Sequence, residues 1–216
     1  VHTVGLAILG AVIPNVVNTD SLHYNDEDRD EFLTDTMTSL VKLFVAACLE
    51  IVACMPFVFP IMVNAKYSAA YNQILILMYA MLFRVLVGLY SCVYVAQKNA
   101  KKIAYTSISA AIINITVDLL LINKIQVFAA SLSTLIAFLS MFIVRYIDVN
   151  KAVHMRIKKP IAIGSILLSS MLVGTYYCNN KAIQFVALCI TTFYAVVTNM
   201  DLLRSGVSLV KSWFGK

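Results

Sequence analysis

Hydrophobic positions along this chain fall in runs long enough to cross a bilayer, separated by short stretches of charged and turn-forming residues. A hydrocarbon core of about 30 Å takes roughly 20 apolar residues of helix. Seven runs approach that length, at about residues 1–17, 38–63, 73–97, 103–122, 127–146, 161–177 and 182–200. Transmembrane strands would alternate apolar and polar residues over about ten positions, and these runs do not. The pattern therefore predicts an all-α integral membrane protein of about seven transmembrane helices. Short connections between most runs predict antiparallel neighbours packed as a bundle.

Composition agrees: 61% of residues are hydrophobic and 13% charged, against roughly 45–50% and about 25% in a soluble domain. The net charge of +6 needs no nucleic acid to explain it, because lysines facing anionic headgroups account for it. Basic residues also orient the chain. Of the 17 Lys and Arg, thirteen fall on one side of the predicted membrane, only Lys66, Lys124 and Lys181 fall on the other, and Arg84 alone sits at membrane depth. The basic side, with the C-terminus, is expected to be cytoplasmic. The first run lacks a basic n-region and a small-residue cleavage site, so it does not read as a signal peptide, and the chain reads as part of a longer protein.

Little in the sequence points to catalysis. Cys48, Cys54, Cys92, Cys178 and Cys189 lie in or at the ends of apolar runs without a CxxC spacing, and His2, His23 and His154 stand apart from one another, so neither a metal nor a cofactor is expected. The acidic stretch "NDEDRDE" lacks the Gly and bidentate Glu of an EF-hand loop in register, and reads as a solvated loop with a short amphipathic helix. The tail, residues 201–216, puts Leu203, Val207, Val210 and Phe214 on one side and Arg204, Ser208 and Lys211 on the other, the pattern of a helix lying at the membrane interface near Trp213.

What remains is polar chemistry inside the spans. An ionisable side chain in a bilayer costs about 2.5–3.5 kcal/mol on insertion scales and usually faces protein or water. Three occur: Glu50, Arg84 and Asp118. At helical spacing Arg84 shares its face with Ala80, Met81, Val87, Gly88 and Ser91, Glu50 with Ala46, Ala47, Ala53 and Cys54, and Asp118 with Ser107, Ala111, Asn114 and Ile122. Faces rich in small residues are those on which helices approach closely or line a cavity, so all three charges are expected inside the bundle. Arg84 then either forms a structural ion pair with Glu50 or Asp118 or lines a hydrated cavity and meets an anionic substrate, since a guanidinium stays ionised and grips phosphate through two parallel hydrogen bonds. Tyr79, Phe83, Tyr90 and Tyr94 run alongside it, either as packing or as rings for stacking on sugars. Pro56 and Pro60 predict a bend in the second run.

The order of features resembles that of the polysaccharide-biosynthesis flippases, the O-antigen and capsule transporters of the multidrug/oligosaccharidyl-lipid/polysaccharide exporter superfamily. A run ending near Pro14 precedes an acidic loop. A second ends before "AKYSAAY", where Tyr67, Ala70 and Tyr71 are similar to the family's Tyr-x-x-Ala-Tyr turn. Then follow a run ending in "QKNAKK", one containing "AAIINITVDLLLI" with Asn114, and the small-residue "FAASLSTLIAF". Two features depart from the pattern: Asp118 stands where the family's Asn-rich pattern has its second position, and "NKIQVFAAS" replaces a Gly-rich turn.

The resemblance implies that residues 1–147 are C-terminal-lobe helices of a two-lobe, 12 to 14 helix exporter, followed by two further spans in 148–200 and the interfacial tail. It implies a non-enzymatic flippase of the bacterial cytoplasmic membrane, moving polyprenyl-diphosphate-linked oligosaccharide by alternating access among membrane lipids, with polysaccharide polymerase and glycosyltransferases as partners. Arg84, Tyr79, Tyr90 and Asn114 would line the substrate cavity, and Glu50 and Asp118 would balance charge or carry a coupling ion. The alternatives are a drug/cation antiporter of the same superfamily, and a membrane polysaccharide polymerase or structural subunit.

Overall fold

The computed structural model describes residues 26–151, 159–178 and 180–200. They form six α-helices with no strand among them: α1 (Asp26–Met62), α2 (Ala69–Ala96), α3 (Ala100–Ile125), α4 (Val127–Val149), α5 (Lys159–Tyr176) and α6 (Lys181–Thr198), with a short 3-10 turn at Ala65–Tyr67. All six are long and apolar enough to span a membrane, so the described chain is a multi-pass, all-helical membrane protein. The first predicted run and the amphipathic tail lie outside the described residues.

One expectation is corrected at the start of α1. The acidic stretch is helical from Asp26, as part of the same 37-residue helix that holds the span Thr34–Met62 and not as a separate short helix in a loop. The first proline inside that helix comes only at Pro56.

The described helices divide between two compact units. One contains α1 up to Thr38 together with α2, α3 and α4, and the other contains Ser39–Lys66 with α5 and α6. In the first unit α4 is central, packing along α2 and along α3. The reason is legible at single positions: Ala129, Ser133, Ala137, Met141, Arg145 and Val149 recur every four residues and are all buried. Small residues over the first half of that stripe let neighbouring backbones approach. Val87 of α2, Ala110 of α3, and Ala137 and Met141 of α4 form the core where the three helices meet, with Phe138 and Phe142 against it. By contrast α3 buries only Ala110 fully and leaves Ile108, Ile112, Leu119 and Leu120 exposed, as a helix does that turns most of its surface to lipid.

Two tight corners shape this unit. Helix α2 ends in a Schellman motif, in which Asn99 N–H donates to Tyr94 O (2.8 Å) and Lys98 N–H to Val95 O (3.0 Å). Lys98 takes the left-handed position usually held by glycine, at φ 54°. Asn99 then caps α3 by accepting from Lys102 N–H. A single residue, Gln126, links α3 to α4 at φ 47°, ψ −121°, a conformation that favours glycine.

In the second unit Gly164 of α5 lies against Tyr194 of α6, where an added Cβ would sit 3.3 Å from the ring. Ser165 and Tyr194 hydroxyls meet at 3.2 Å. Pro60 cannot donate to the carbonyl of Pro56 one turn earlier, and Lys181 Nζ donates to that carbonyl instead at 2.8 Å, over the ring of Phe57.

Candidate functional site

Each polar residue singled out in the spans has a definite place. Arg84 projects from the middle of α2 and is exposed rather than enclosed, which corrects the expectation drawn from its small-residue neighbours. That face is split: Ala80 and Val87 are buried while Met81 is exposed, and the guanidinium lies at the border, 5.9 Å from the centroid of the Phe138 ring on α4. Within its unit, no described carboxylate is within ion-pair distance of Arg84, so it does not pair with Asp118.

On α3, Asn114 Nδ2 donates to Thr134 Oγ1 of α4 at 3.4 Å, and Asp118, one turn further on, is half-buried with Oδ1 enclosed and unpaired. Tyr90 is buried between Phe142 and Tyr146, with ring centroids 5.8 Å away in each case and near-perpendicular planes. With Phe83 against Phe142 at 5.7 Å, these rings form a ladder along the α2/α4 contact, and edge-to-face pairs of this kind add stability beyond burial. Tyr79 is half-buried. The second unit holds Glu50, whose Oε1 accepts from Thr192 at 2.7 Å while Oε2 is buried and unpaired.

The structure thus brings Arg84 and Tyr90 to the same α2/α4 contact, and Asn114 and Asp118 to one face of α3. Glu50 belongs to the other unit.

Among the described residues, the most connected polar group is one that the sequence places only at the cytoplasmic end of its run. Arg145 lies in the last turns of α4 and is only 2% exposed. Its Nε donates to Thr106 Oγ1 (3.0 Å), and Nη2 donates to Thr106 Oγ1 (2.8 Å), Ser107 Oγ (3.1 Å) and Ile103 O (3.3 Å). Nη1 donates to Val87 O (3.2 Å) and to Ser91 Oγ. All five guanidinium N–H groups have acceptors available on α2 and α3, and none of these is a carboxylate. One turn along α4, Asp148 Oδ2 accepts from Lys102 Nζ (2.7 Å) and from the Tyr94 hydroxyl (2.8 Å).

A signal for this cluster was present in the sequence: Lys102 and Thr106 one turn apart, and Arg145 and Asp148 one turn apart at the end of the next span. Such spacing puts each pair on one helix face, but only an antiparallel hairpin in the right register brings the faces together.

Among the described residues no three His, Cys, Asp or Glu side chains gather in a way that could hold a metal ion. The comparisons with known proteins found nothing: no protein-family model, no curated protein and no solved structure matches this chain.

Proposed function

We propose that this chain is part of a membrane transporter that moves a lipid-linked oligosaccharide, carried on polyprenyl diphosphate, across the bacterial cytoplasmic membrane by alternating access. The observation that supports this reading is Arg84. A guanidinium halfway along a membrane-spanning helix, exposed on its unit and resting on an aromatic ring instead of a carboxylate, needs water or an anion to meet it. A diphosphate or an acidic sugar supplies that anion, and the bidentate geometry of Arg suits either.

The test is export of surface polysaccharide by the full-length protein. Arg84→Ala abolishes export while the protein still reaches the membrane, and Arg84→Lys keeps the charge but restores export only in part, because the planar fork is lost. Unchanged export in Arg84→Ala removes Arg84 from the substrate path.

A drug/cation antiporter is the second reading, favoured by the enclosed, unpaired oxygens of Glu50 and Asp118. Such carboxylates are suited to binding a coupling proton or sodium ion. Under that reading Asp118→Asn alters the dependence of transport on the ion gradient and Arg84→Ala leaves transport intact, so the two variants separate the proposals.

A further inference from the structure

Between α3 and α4 an open groove of about 260 Å³ runs along the outside of the first unit, lined by Tyr105, Thr106, Ser109 and Ile113 on α3 and by Ser140 and Val144 on α4. From Tyr105 to Ile113 it follows two turns of helix, about 12 Å at 1.5 Å per residue. That is room for the upper part of one acyl chain.

The end of the groove at Tyr105 is the end at which α3 begins and α4 finishes. Lys98, Lys101, Lys102, Arg145 and Lys151 collect there against a single described carboxylate, Asp148. Asp148 is already paired with Lys102 at 2.7 Å. Lys98, Lys101 and Lys151 are exposed, and the buried charge of Arg145 stands behind Thr106, which forms part of the groove wall. Tyr105, 72% exposed, sits one turn inside Lys101, at the depth where tyrosines mark the headgroup boundary. The surrounding face of α3 is aliphatic and open, with Ile108 and Ile112 both exposed.

We infer that this groove is a binding site for an anionic phospholipid, with one acyl chain seated between α3 and α4 and the phosphate held by Lys98 and Lys101 beside Tyr105. Apolar groove and basic mouth are complementary to that molecule as a unit: the groove alone accepts any lipid, and the lysines alone attract any anion. The site is separate from Arg84 and does not depend on the chain being a transporter.

The test uses the full chain in phosphatidylcholine bilayers with traces of spin-labelled phosphatidylglycerol or phosphatidylcholine, reading the motionally restricted fraction by electron paramagnetic resonance. Phosphatidylglycerol is expected to associate in preference to phosphatidylcholine. Lys98→Gln and Lys101→Gln each lower that preference about fivefold, and Ser109→Phe, an exposed position that fills the groove, abolishes it with both lysines in place.

Equal association of the two lipids overturns the site. A preference that survives Ser109→Phe and the equivalent α4 variant Val144→Phe overturns the groove, leaving only headgroup electrostatics. Displacement of phosphatidylglycerol by inorganic phosphate, beyond that by chloride at equal ionic strength, overturns the lipid in favour of a free anion.

Discussion

Arg145 shows what a buried cation requires when no carboxylate accompanies it. Taking a guanidinium out of water costs several kcal/mol unless each N–H finds an acceptor, and here two carbonyls and three hydroxyls supply them. Hydrogen bonds to a charged group contribute about 1.5–3 kcal/mol each, net of the water bonds they replace. The planar fork matters more than the charge, since an ammonium cannot reach Ser91 on α2 and Thr106 and Ser107 on α3 together. Arg145→Lys is therefore expected to lower stability by about 1–3 kcal/mol, read as a fall in the unfolding midpoint in detergent. Ser107→Ala, which removes one acceptor of several, costs less. A midpoint unchanged in Arg145→Lys shows that the fork does not hold the three helices together. Arg84 differs in kind: it is exposed, with one ring contact, so its loss affects what it binds far more than how the chain folds. Both are single arginines in or at the end of apolar runs, and nothing local in the sequence tells them apart. The difference lies in what the neighbouring helices present.

At the scale of elements, the proline turn of α1 offers a measurable coupling. Because Pro60 leaves the Pro56 carbonyl without its helical donor, Lys181 Nζ takes that role from the first turn of α6. Lys181→Met leaves an unpaired carbonyl and is expected to cost about 1–3 kcal/mol. In the Pro60→Ala background the helix supplies its own N–H, and the same substitution is expected to cost much less. A double-mutant cycle on unfolding midpoints gives this coupling directly, and additivity within about 0.5 kcal/mol rules the capping role out. The prolines are visible in the sequence, but the lysine that answers them is not, because it lies 125 positions away. The α3–α4 corner fails to announce itself for a local reason. Gln126 occupies a backbone conformation that normally selects glycine, so the strongest turn signal is absent from "NKIQVFAAS". The spans on either side nonetheless stood out by hydropathy, since 20 or so apolar residues need no turn residue to be recognised.

For the whole molecule, length and apolarity of the runs carry most of what the sequence reveals: each of the six described spans overlaps a predicted run. Interior and exterior were harder to read, because helices in a bilayer are apolar on every side and periodicity cannot separate a protein face from a lipid face. Hence Arg84, expected inside, is exposed on its unit, while Arg145, expected only at the cytoplasmic end of its run, is buried. The orientation deduced from basic residues needs a test of its own, and α3 is suited to it: Lys101 and Lys124 lie near its two ends and are both exposed. In a variant with Cys48, Cys54, Cys92, Cys178 and Cys189 replaced by alanine, a single cysteine at position 124 is expected to react with a membrane-impermeant maleimide added to intact cells. A single cysteine at 101 is expected to react only after the membrane is opened, because the positive-inside rule puts the "QKNAKK" turn in the cytoplasm. The reverse pattern inverts the topology and moves the basic mouth of the α3–α4 groove to the outer leaflet. Equal reaction at both positions from outside would mean that α3 does not cross the membrane, which its 26 residues and aliphatic exposed face argue against.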